Sequence, residues 1–254
     1  MAERTSSVTF LGLKVDPLTM SETLQRCEEL ISMRNKQHVV INAAKVVAAS
    51  ESVELRQIIN SCDLVNADGM SVVWAAKLLG KDLPERVAGI DLMFELVQLS
   101  KQKGFSIFLL GAEETVSETV FSSFQASGAN VIGRRNGFWS QGDEAELVDE
   151  IASKAPDILF IAIPSPQKEI FLSQHLGRLN CGLVVGVGGS FDVVAGKVVR
   201  APKVLQRMGL EWTIRLIQEP RRMFLRYLKG NSKFIWLVIK AIRTSKPSKE
   251  LNDR

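Results

Sequence analysis

Asp68 is one residue of this sequence that could carry acid–base chemistry. It follows the apolar pair Leu64-Val65, stands in the loop Asn66-Ala67-Asp68-Gly69, and precedes a helical stretch. A partly buried carboxylate in a cleft can act as the general base for an attacking hydroxyl group. Asp-Gly is also a common turn dipeptide and Asp a common helix cap, so a purely structural role is the alternative.

Two further loops carry groups that could bind phosphate. In Arg86-Val87-Ala88-Gly89-Ile90-Asp91, the arginine could hold a phosphate through two hydrogen bonds or could pair with Asp91. The stretch from Gly186 to Asp192 has three glycines in four positions, which allow a close approach of the backbone to a ligand. Its amide groups could bind a diphosphate. Because the stretch is neither GxGxxG nor a P-loop, dinucleotide and triphosphate sites are disfavoured.

Metal-ligating residues are scarce in the sequence. His38 and His175 are the only histidines, the three cysteines Cys27, Cys62 and Cys181 are far apart, and no Asp-x-Asp pair occurs. We therefore expect no metal and no other cofactor, with arginines and lysines neutralising any phosphate charge. The cysteine pattern disfavours a disulfide framework and fits a reducing compartment.

The elements that must position these loops alternate between strand and helix. Nearly continuous apolar runs at Phe105–Leu110, Asp157–Ile163 and Leu183–Val187 are typical of strands covered by helices on both faces. Shorter strands are predicted at 10–15, 39–42 and 64–65, and helices at about 19–33, 43–60, 71–79, 91–103, 114–127, 143–154 and 167–179. Such βα repeats predict an α/β fold, a single Rossmann-like domain with a mainly parallel, doubly wound sheet. Ligands of these sheets bind at the carboxyl ends of strands, where the candidate loops lie.

The C-terminal part of the chain differs in charge from the rest. Residues 197–254 contain fifteen Lys and Arg against four Asp and Glu, although the net charge of the whole chain is only +4. We therefore divide the chain into an α/β core, residues 1–196, and a basic helical appendage, residues 197–254. Gly230-Asn231 is expected to separate two helices within the appendage.

Three interpretations of the appendage remain: helices packed on the core or on a second copy in a homo-oligomer, a nucleic-acid surface, and an interfacial membrane anchor. Nucleic acid is disfavoured, because the appendage is heavily aliphatic and contains no recognisable module. No apolar run approaches the ~20 residues of a spanning helix, and the N-terminus lacks the apolar segment of a signal peptide. We predict a cytoplasmic protein, peripherally bound to the inner face of an anionic membrane. The predicted membrane contacts are Arg226, Lys229, Lys233, Phe234, Trp236, Lys240 and Arg243.

Between about residue 8 and residue 228, an ordered set of motifs resembles the WecG/TagA/CpsF glycosyltransferases. The motifs are Asn42, Ala67-Asp68-Gly69, Arg86-Val87-Ala88-Gly89-Ile90-Asp91, Leu110-Gly111, Ser165-Pro166-x-x-Glu169, Gly186-x-Gly188-Gly189-x-Phe191-Asp192-x-x-x-Gly196, Arg200-Ala201-Pro202 and Leu210-Glu211-Trp212-x-x-Arg215-Leu216-x-x-Glu219-Pro220-Arg221-Arg222. The combination is specific, although each piece alone is not.

The resemblance implies transfer of a sugar from a nucleotide diphosphate sugar, usually a UDP-sugar, to a polyprenyl-diphosphate-linked saccharide in cell-envelope polysaccharide assembly. It further implies inversion at the anomeric carbon without a metal, with Asp68 as the base. The C-terminal end would close over the site at the membrane and bring arginines to the departing diphosphate. The predicted substrate-binding residues are Asn42, Arg86, Gly111, Lys168, Gly188, Gly189, Ser190, Phe191, Asp192, Arg215, Arg221 and Arg222.

The sequence departs from the family pattern at two positions. Val40 stands where many members have Thr, which removes one hydroxyl contact, and Lys168 stands at the usual glutamine position. A cation at 168 could contact phosphate or a carboxylated sugar. Two rival functions remain open: an NAD-dependent epimerase or dehydrogenase, which would need the missing GxGxxG fingerprint, and a non-catalytic membrane-binding module of a polysaccharide assembly complex.

Overall fold

A six-stranded parallel sheet forms the centre of the computed structural model, which describes residues 7–218 and 220–245, without the side chains of 141, 207, 215, 222, 223, 225–227 and 245. The strands are β1 (Val8–Phe10), β2 (Leu13–Val15), β3 (Lys36–Ile41), β4 (Leu64–Ala67), β5 (Ile107–Gly111), β6 (Val131–Arg135), β7 (Ile158–Ala162) and β8 (Leu183–Gly186). β1 and β2 form an antiparallel hairpin, and the other strands form the sheet in the order β4-β3-β8-β7-β5-β6.

Helices cover both faces of this sheet. They are α1 (Met20–Met33), α2 (Ala43–Glu51), α3 (Val53–Ser61), α4 (Met70–Leu78), α5 (Gly89–Lys103), α6 (Glu114–Ala126), α7 (Glu144–Lys154), α8 (Gln167–His175), α9 (Ser190–Val194), α10 (Lys203–Arg207), α11 (Glu211–Gln218) and α12 (Pro220–Ser245). Ile107 and Leu109 of β5 pack with α1, α5 and α6, whereas the alternating Phe108 and Leu110 pack with α7 and α8. The predicted doubly wound α/β fold is therefore confirmed.

Local sequence explains where several elements begin and turn. Thr19 caps α1, with Glu22 completing the predicted capping box. The single strand predicted at 10–15 is wrong, because Leu11 and Gly12 both adopt positive φ angles of 47° and 83°. Two such residues form the tight turn that matches the twist of an antiparallel hairpin. The hairpin is completed by Val8 pairing with Val15.

Strand β6 was not predicted from the sequence. Its residues, Val-Ile-Gly-Arg-Arg, contain a glycine and two arginines, which is atypical of a buried strand. β6 is an edge strand, and its arginines pair with helix carboxylates: Arg134 with Glu114, and Arg135 with Glu150 at 3.0 Å. Tertiary ion pairs thus support a strand that its apolar pattern alone does not indicate.

Helix α12 is continuous through Gly230-Asn231, so the predicted break into two helices is wrong. A glycine inside a helix costs about 1 kcal/mol relative to alanine, an amount that packing can offset. Phe234 and Val238 of α12 are buried against the layer that contains the β1-β2 hairpin and α2. The rings of Phe234 and Phe10 lie 6.4 Å apart. The division between core and appendage stays a prediction.

Gly182→Ala is expected to lower the free energy of unfolding by about 1–3 kcal/mol. A Cβ at position 182 would lie 2.3 Å from the carbonyl oxygen of Asp157 and 2.9 Å from that of Ile31, both of them backbone atoms that cannot rotate away. Gly177→Ala is the matched control, because nothing lies within 4 Å of its Cβ position. Urea denaturation should show the loss in the first variant alone, and equal stabilities would contradict this packing.

Candidate active site

A crevice at the carboxyl ends of β3, β4 and β8 forms the candidate active site. The helices that follow the neighbouring strands β3 and β8 lie on opposite faces of the sheet: α2 packs with α3 and α12, whereas α9 packs with α6. Such a divergence opens the crevice in which doubly wound sheets bind their ligands. Asp68 follows β4, which pairs with β3, so its loop opens to the same place.

Asp68 is held at this crevice by backbone contacts. Its amide donates to the carbonyl of Ile41 at 2.7 Å, and its Oδ2 lies 3.5 Å from the amide nitrogen of Gly89, the first residue of α5. The amino end of a helix carries partial positive charge that stabilises an anion. A Cβ at Gly89 would lie 3.6 Å from Val40 Cγ2 and 3.8 Å from the Gly186 carbonyl oxygen. Four chain segments therefore meet around one carboxylate.

Asn42 lies beside the Asp68 loop and caps α2. Its Oδ1 accepts a hydrogen bond from the amide of Lys45 at 3.0 Å. A Cβ at Gly69, whose φ is 137°, would lie 4.0 Å from Asn42 Cβ. The predicted pocket residue thus has a structural role as well, because a helix cap is worth about 1 kcal/mol. Its contact with substrate stays a prediction.

Arg86 belongs to an ion-pair network that connects α5 to the appendage. Its Nη1 lies 3.0 Å from Glu211 Oε2, and its Nη2 lies 4.0 Å from Asp91 Oδ2. Arg200 binds the same Asp91 oxygen at 2.7 Å. The hydrogen bond that Arg200 donates to Asp91 raises the pKa of Arg200, and the charges of Asp91, Glu211 and Asp68 raise it further. Two permanent cations therefore lie close to the crevice.

Sequence reasoning did not assign Arg200 or Glu211 to the site. Both stand in motifs that carry the family resemblance, and their place in those motifs is the feature of the sequence that could have assigned them to the site. Of the two interpretations of Arg86, pairing with a carboxylate is the one that the structure contains. A phosphate contact through Arg86 stays a prediction, since a ligand would compete with Glu211 for the same guanidinium group.

The glycine-rich loop presents mainly its backbone to the crevice. Gly188 has a φ of 52° and open space at its Cβ position, and Gly189 is exposed. Ser190 Oγ donates to the Val187 carbonyl at 2.6 Å, and the Asp192 carbonyl accepts from the amide of Lys197 at 2.8 Å. Phe191 is fully buried in the core. Phe191 is therefore a packing residue, and its predicted place in the substrate cleft is wrong.

Gly111 and Lys168 are both buried at neighbouring strand ends. A Cβ at Gly111, whose φ is 122°, would lie 2.7 Å from the carbonyl carbon and oxygen of Ala162, so the glycine permits β5 and β7 to end in contact. Lys168, in the first turn of α8, contacts Glu169 and lies against Gly186. Any substrate contact of these two residues stays a prediction.

The predicted membrane residues differ in their exposure. Lys229, Lys240 and Arg243 are exposed, as is Arg221 among the predicted substrate contacts, while Lys233 pairs with Glu51. Phe234 is only 5% exposed and packs on Phe10, so its predicted contact with acyl chains is wrong. The side chains of Arg215, Arg222 and Arg226 lie outside the described part of the structure.

An apolar stripe lies on the exposed side of α12. It consists of Phe224, Leu228, Ile235 and Ile239, which recur at intervals of four, seven and four residues and so share one helix face. Trp236 is also exposed, with the Lys240 ammonium 5.1 Å from its ring centroid. An apolar face bordered by cations and an indole is typical of a helix lying in a membrane interface.

Two further properties of the described residues concern membrane-spanning helices and metal sites. Among residues 7–218 and 220–245, no helix is both long and apolar enough to cross a bilayer. The same residues include no group of three or more His, Cys, Asp or Glu side chains placed to hold a metal ion.

A comparison with protein families identifies a family to which the chain is similar over almost its whole length. The model described as "Glycosyl transferase WecG/TagA/CpsF family" matches residues 8–248, nearly the whole chain. The match includes Asp68, the ion-pair network and the apolar stripe. The chain therefore belongs to the WecG/TagA/CpsF family of glycosyltransferases, enzymes of cell-envelope polysaccharide synthesis.

Proposed function

We propose that this enzyme transfers a sugar from a UDP-sugar to a polyprenyl-diphosphate-linked saccharide, with inversion and without a metal ion. The observation that carries the proposal is the position of Asp68. Its carboxylate lies at the topological crevice, 3.5 Å from the amide that begins α5. A general base must stay ionised and must be reachable by the acceptor hydroxyl, and this position supports both requirements.

The reaction is a single displacement at the anomeric carbon. The acceptor oxygen attacks that carbon from the side opposite the diphosphate, while Asp68 takes the hydroxyl proton. The bond from the anomeric carbon to the diphosphate oxygen breaks, and UDP leaves with the bonding electron pair. Attack from the opposite side inverts the configuration, so one carboxylate is sufficient.

Positive groups around the crevice would stabilise the departing diphosphate. Arg86 and Arg200 are fixed near Asp68 by their carboxylate partners, and the backbone amides of half-buried Gly188 and exposed Gly189 can donate hydrogen bonds to phosphate oxygens. Arg221 on α12 is exposed and could reach the leaving group when acceptor binds. This arrangement assigns to protein cations the charge neutralisation that a divalent ion provides elsewhere.

Peripheral attachment to the cytoplasmic membrane would supply the lipid-linked acceptor. The apolar stripe and Trp236 would enter the boundary between headgroups and acyl chains, and Lys229 and Lys240 would contact anionic headgroups. Because Arg86 pairs with Glu211 in the appendage, the same segment that binds the membrane also borders the crevice.

The apolar stripe also supports a second candidate, a membrane-binding module without catalytic activity. Such a module would need α12 but would not need Asp68 at the crevice. Sugar transfer separates the two functions: liposome binding without transfer from any nucleotide sugar would favour the module. Measurable transfer that depends on the crevice residues would favour the enzyme.

Calorimetric titration with UDP, GDP and UDP-sugars, with and without EDTA, tests the proposed donor. We expect UDP and UDP-sugars to bind more tightly than GDP, with affinities that the chelator leaves unchanged, because cations of the protein neutralise the diphosphate. Loss of binding in EDTA would contradict the metal-independent mechanism. Preference for GDP would contradict the donor class.

A further inference from the structure

Behind the end of β8, two lysines and one glutamate form a buried charged cluster. Lys45 Nζ lies 2.8 Å from Glu169 Oε1, and Lys168 Nζ lies 3.8 Å from the same oxygen. The side chains of Lys45, Lys168 and Glu169 are 8%, 7% and 0% exposed, respectively. With both lysines protonated, the cluster carries one unmatched positive charge, which is costly to hold away from water.

The cluster lies directly against the crevice. A Cβ at position 186 would be 2.9 Å from Lys168 Cε and 3.0 Å from its Nζ, so the glycine there admits the ammonium group to the end of β8. The carbonyl of Gly186 in turn lies 3.8 Å from the Cβ position of Gly89, whose amide faces Asp68. Lys168 therefore lies beside Gly186, and Gly186 lies beside the Gly89 amide that faces Asp68.

The groups that face Lys168 neutralise its positive charge poorly. Burial, followed by the charge of Lys45, lowers the pKa of Lys168 to about 8, against the opposing effects of Glu169 and Cys62. Burial also lowers the pKa of His38 to about 4 and raises that of Cys62 to about 12, so both are neutral near pH 7. Burial alone would raise the pKa of Glu169, but Lys45 and Lys168 keep it below its usual value. Glu169 is therefore the one anion among these facing groups.

We propose that Lys168 binds an anionic oxygen of the donor and takes up a proton as it does so, with the nucleotide sugar supplying the negative charge that the cluster lacks. The oxygen belongs either to the diphosphate or to a carboxylate on the donor sugar. This inference rests on the proposed function and adds a proton-linked anion subsite to it. Lys45 and Glu169 act as positioning residues, because they set the charge around Lys168 without contacting the donor.

The sign of the pH dependence follows from linkage. An anion next to Lys168 favours its charged form and raises its pKa above the value of the free enzyme. Well below pH 8 the lysine is already protonated in the free enzyme, and its titration leaves donor affinity unchanged with pH. Above about pH 8, binding must include protonation, so affinity falls by up to tenfold per pH unit until the pKa of the complex is reached.

Calorimetry at pH 8 in Tris and in Hepes measures this proton uptake, because the two buffers differ in ionisation enthalpy. The probes are UDP, UDP-glucose and UDP-glucuronate. We expect net proton uptake at this pH, since burial lowers the pKa of Lys168 to about 8 and part of the free enzyme then carries the neutral amine. Uptake with UDP and UDP-glucose identifies the diphosphate as the source of the anion. Uptake restricted to UDP-glucuronate identifies a sugar carboxylate.

Matched variants make the result specific to the cluster. Lys168→Gln should abolish proton uptake and remove the pH dependence of binding, whereas Lys103→Gln, at an exposed lysine, should change neither. Lys45→Met should shift the uptake to higher pH, because Lys168 then pairs with Glu169 alone and is protonated before the donor binds. A merely structural role for Lys45 would not move this pH profile. Thermal unfolding of each variant verifies that it is folded.

Two results would overturn the inference. Nucleotides that bind without proton exchange, or proton uptake that persists in Lys168→Gln, would exclude the proton-linked subsite and leave the proposed transfer reaction intact. Failure of all three nucleotides to bind the wild-type protein would instead contradict the proposed function, and the subsite with it.

Discussion

Asp68→Asn is expected to lower kcat for sugar transfer by about 10²–10⁴-fold, the range in which a positioned general base contributes. The substitution keeps the size of the side chain and removes its ability to accept a proton. The donor KM should change little, because the proposed donor contacts come from the glycine-rich loop and from cations. Initial rates of transfer to a polyprenyl-diphosphate-linked saccharide measure the effect.

Asp149→Asn provides the control for loss of a carboxylate. Asp149 is exposed on α7 and pairs with Arg178 at 3.1 Å, away from the crevice. This variant should keep the activity of the wild type, and both variants should unfold at similar temperatures. An unchanged kcat in Asp68→Asn would show that Asp68 has only a structural role in its loop and is not the base.

The double substitution Ile235→Asp and Ile239→Asp is expected to weaken binding to anionic liposomes by at least ~100-fold. Each apolar side chain contributes about 1.5–3 kcal/mol when fully buried, and two new negative charges would add repulsion from the headgroups. Both isoleucines are exposed, so the fold should survive the change. Sedimentation with vesicles rich in an anionic phospholipid measures the loss.

A matched double variant, Met33→Asp with Val53→Asp, introduces the same charges at exposed apolar positions outside α12. It should sediment like the wild type, apart from a small loss that 0.5 M salt removes by screening. Deleting residues 230–254 is a poorer test, because it also removes Phe234 and Val238 from the core. If the α12 variant bound vesicles as well as the wild type, the apolar stripe would not be a membrane surface.

The sequence predicts the central sheet well because three of its strands are buried on both faces. β5, β7 and β8 are apolar at nearly every position, a pattern that only a covered strand requires. Parallel order then places the loops after Ile41, Ala67 and Gly186 at one edge of the sheet. The positions of Asn42 and Asp68 side by side follow from this rule, without any knowledge of distances.

The sequence was a poorer guide to which apolar side chains of α12 and α9 face the core and which face solvent. Phe234 and Trp236 have the same apolar character in the sequence, but helix α12 turns the first toward Phe10 and the second toward solvent. The cations of the appendage suggest a membrane helix, and only the tertiary contact distinguishes its two faces. The predicted substrate contact of Phe191 is wrong for the same reason, because α9 directs this side chain into the core while the neighbouring glycines stay at the crevice.

Charge networks were the least predictable part of the site. Lys45 and Glu169 are separated by 124 residues, and no spacing rule joins them. The sequence singled out Lys168 as a departure from the family pattern, but its buried surroundings depend on α2, α8 and β8 meeting at one point. Arg200 and Glu211 likewise acquire their role only when the appendage folds against α5.

The stereochemistry of the product tests the central claim most directly. NMR coupling constants of the transferred sugar can be compared with those of the UDP-sugar donor, in EDTA and with wild-type enzyme. Single displacement with Asp68 as the base predicts complete inversion, so that an α-linked donor gives a β-linked product. Retention of configuration would require a second displacement or another nucleophile, and would contradict the proposed mechanism.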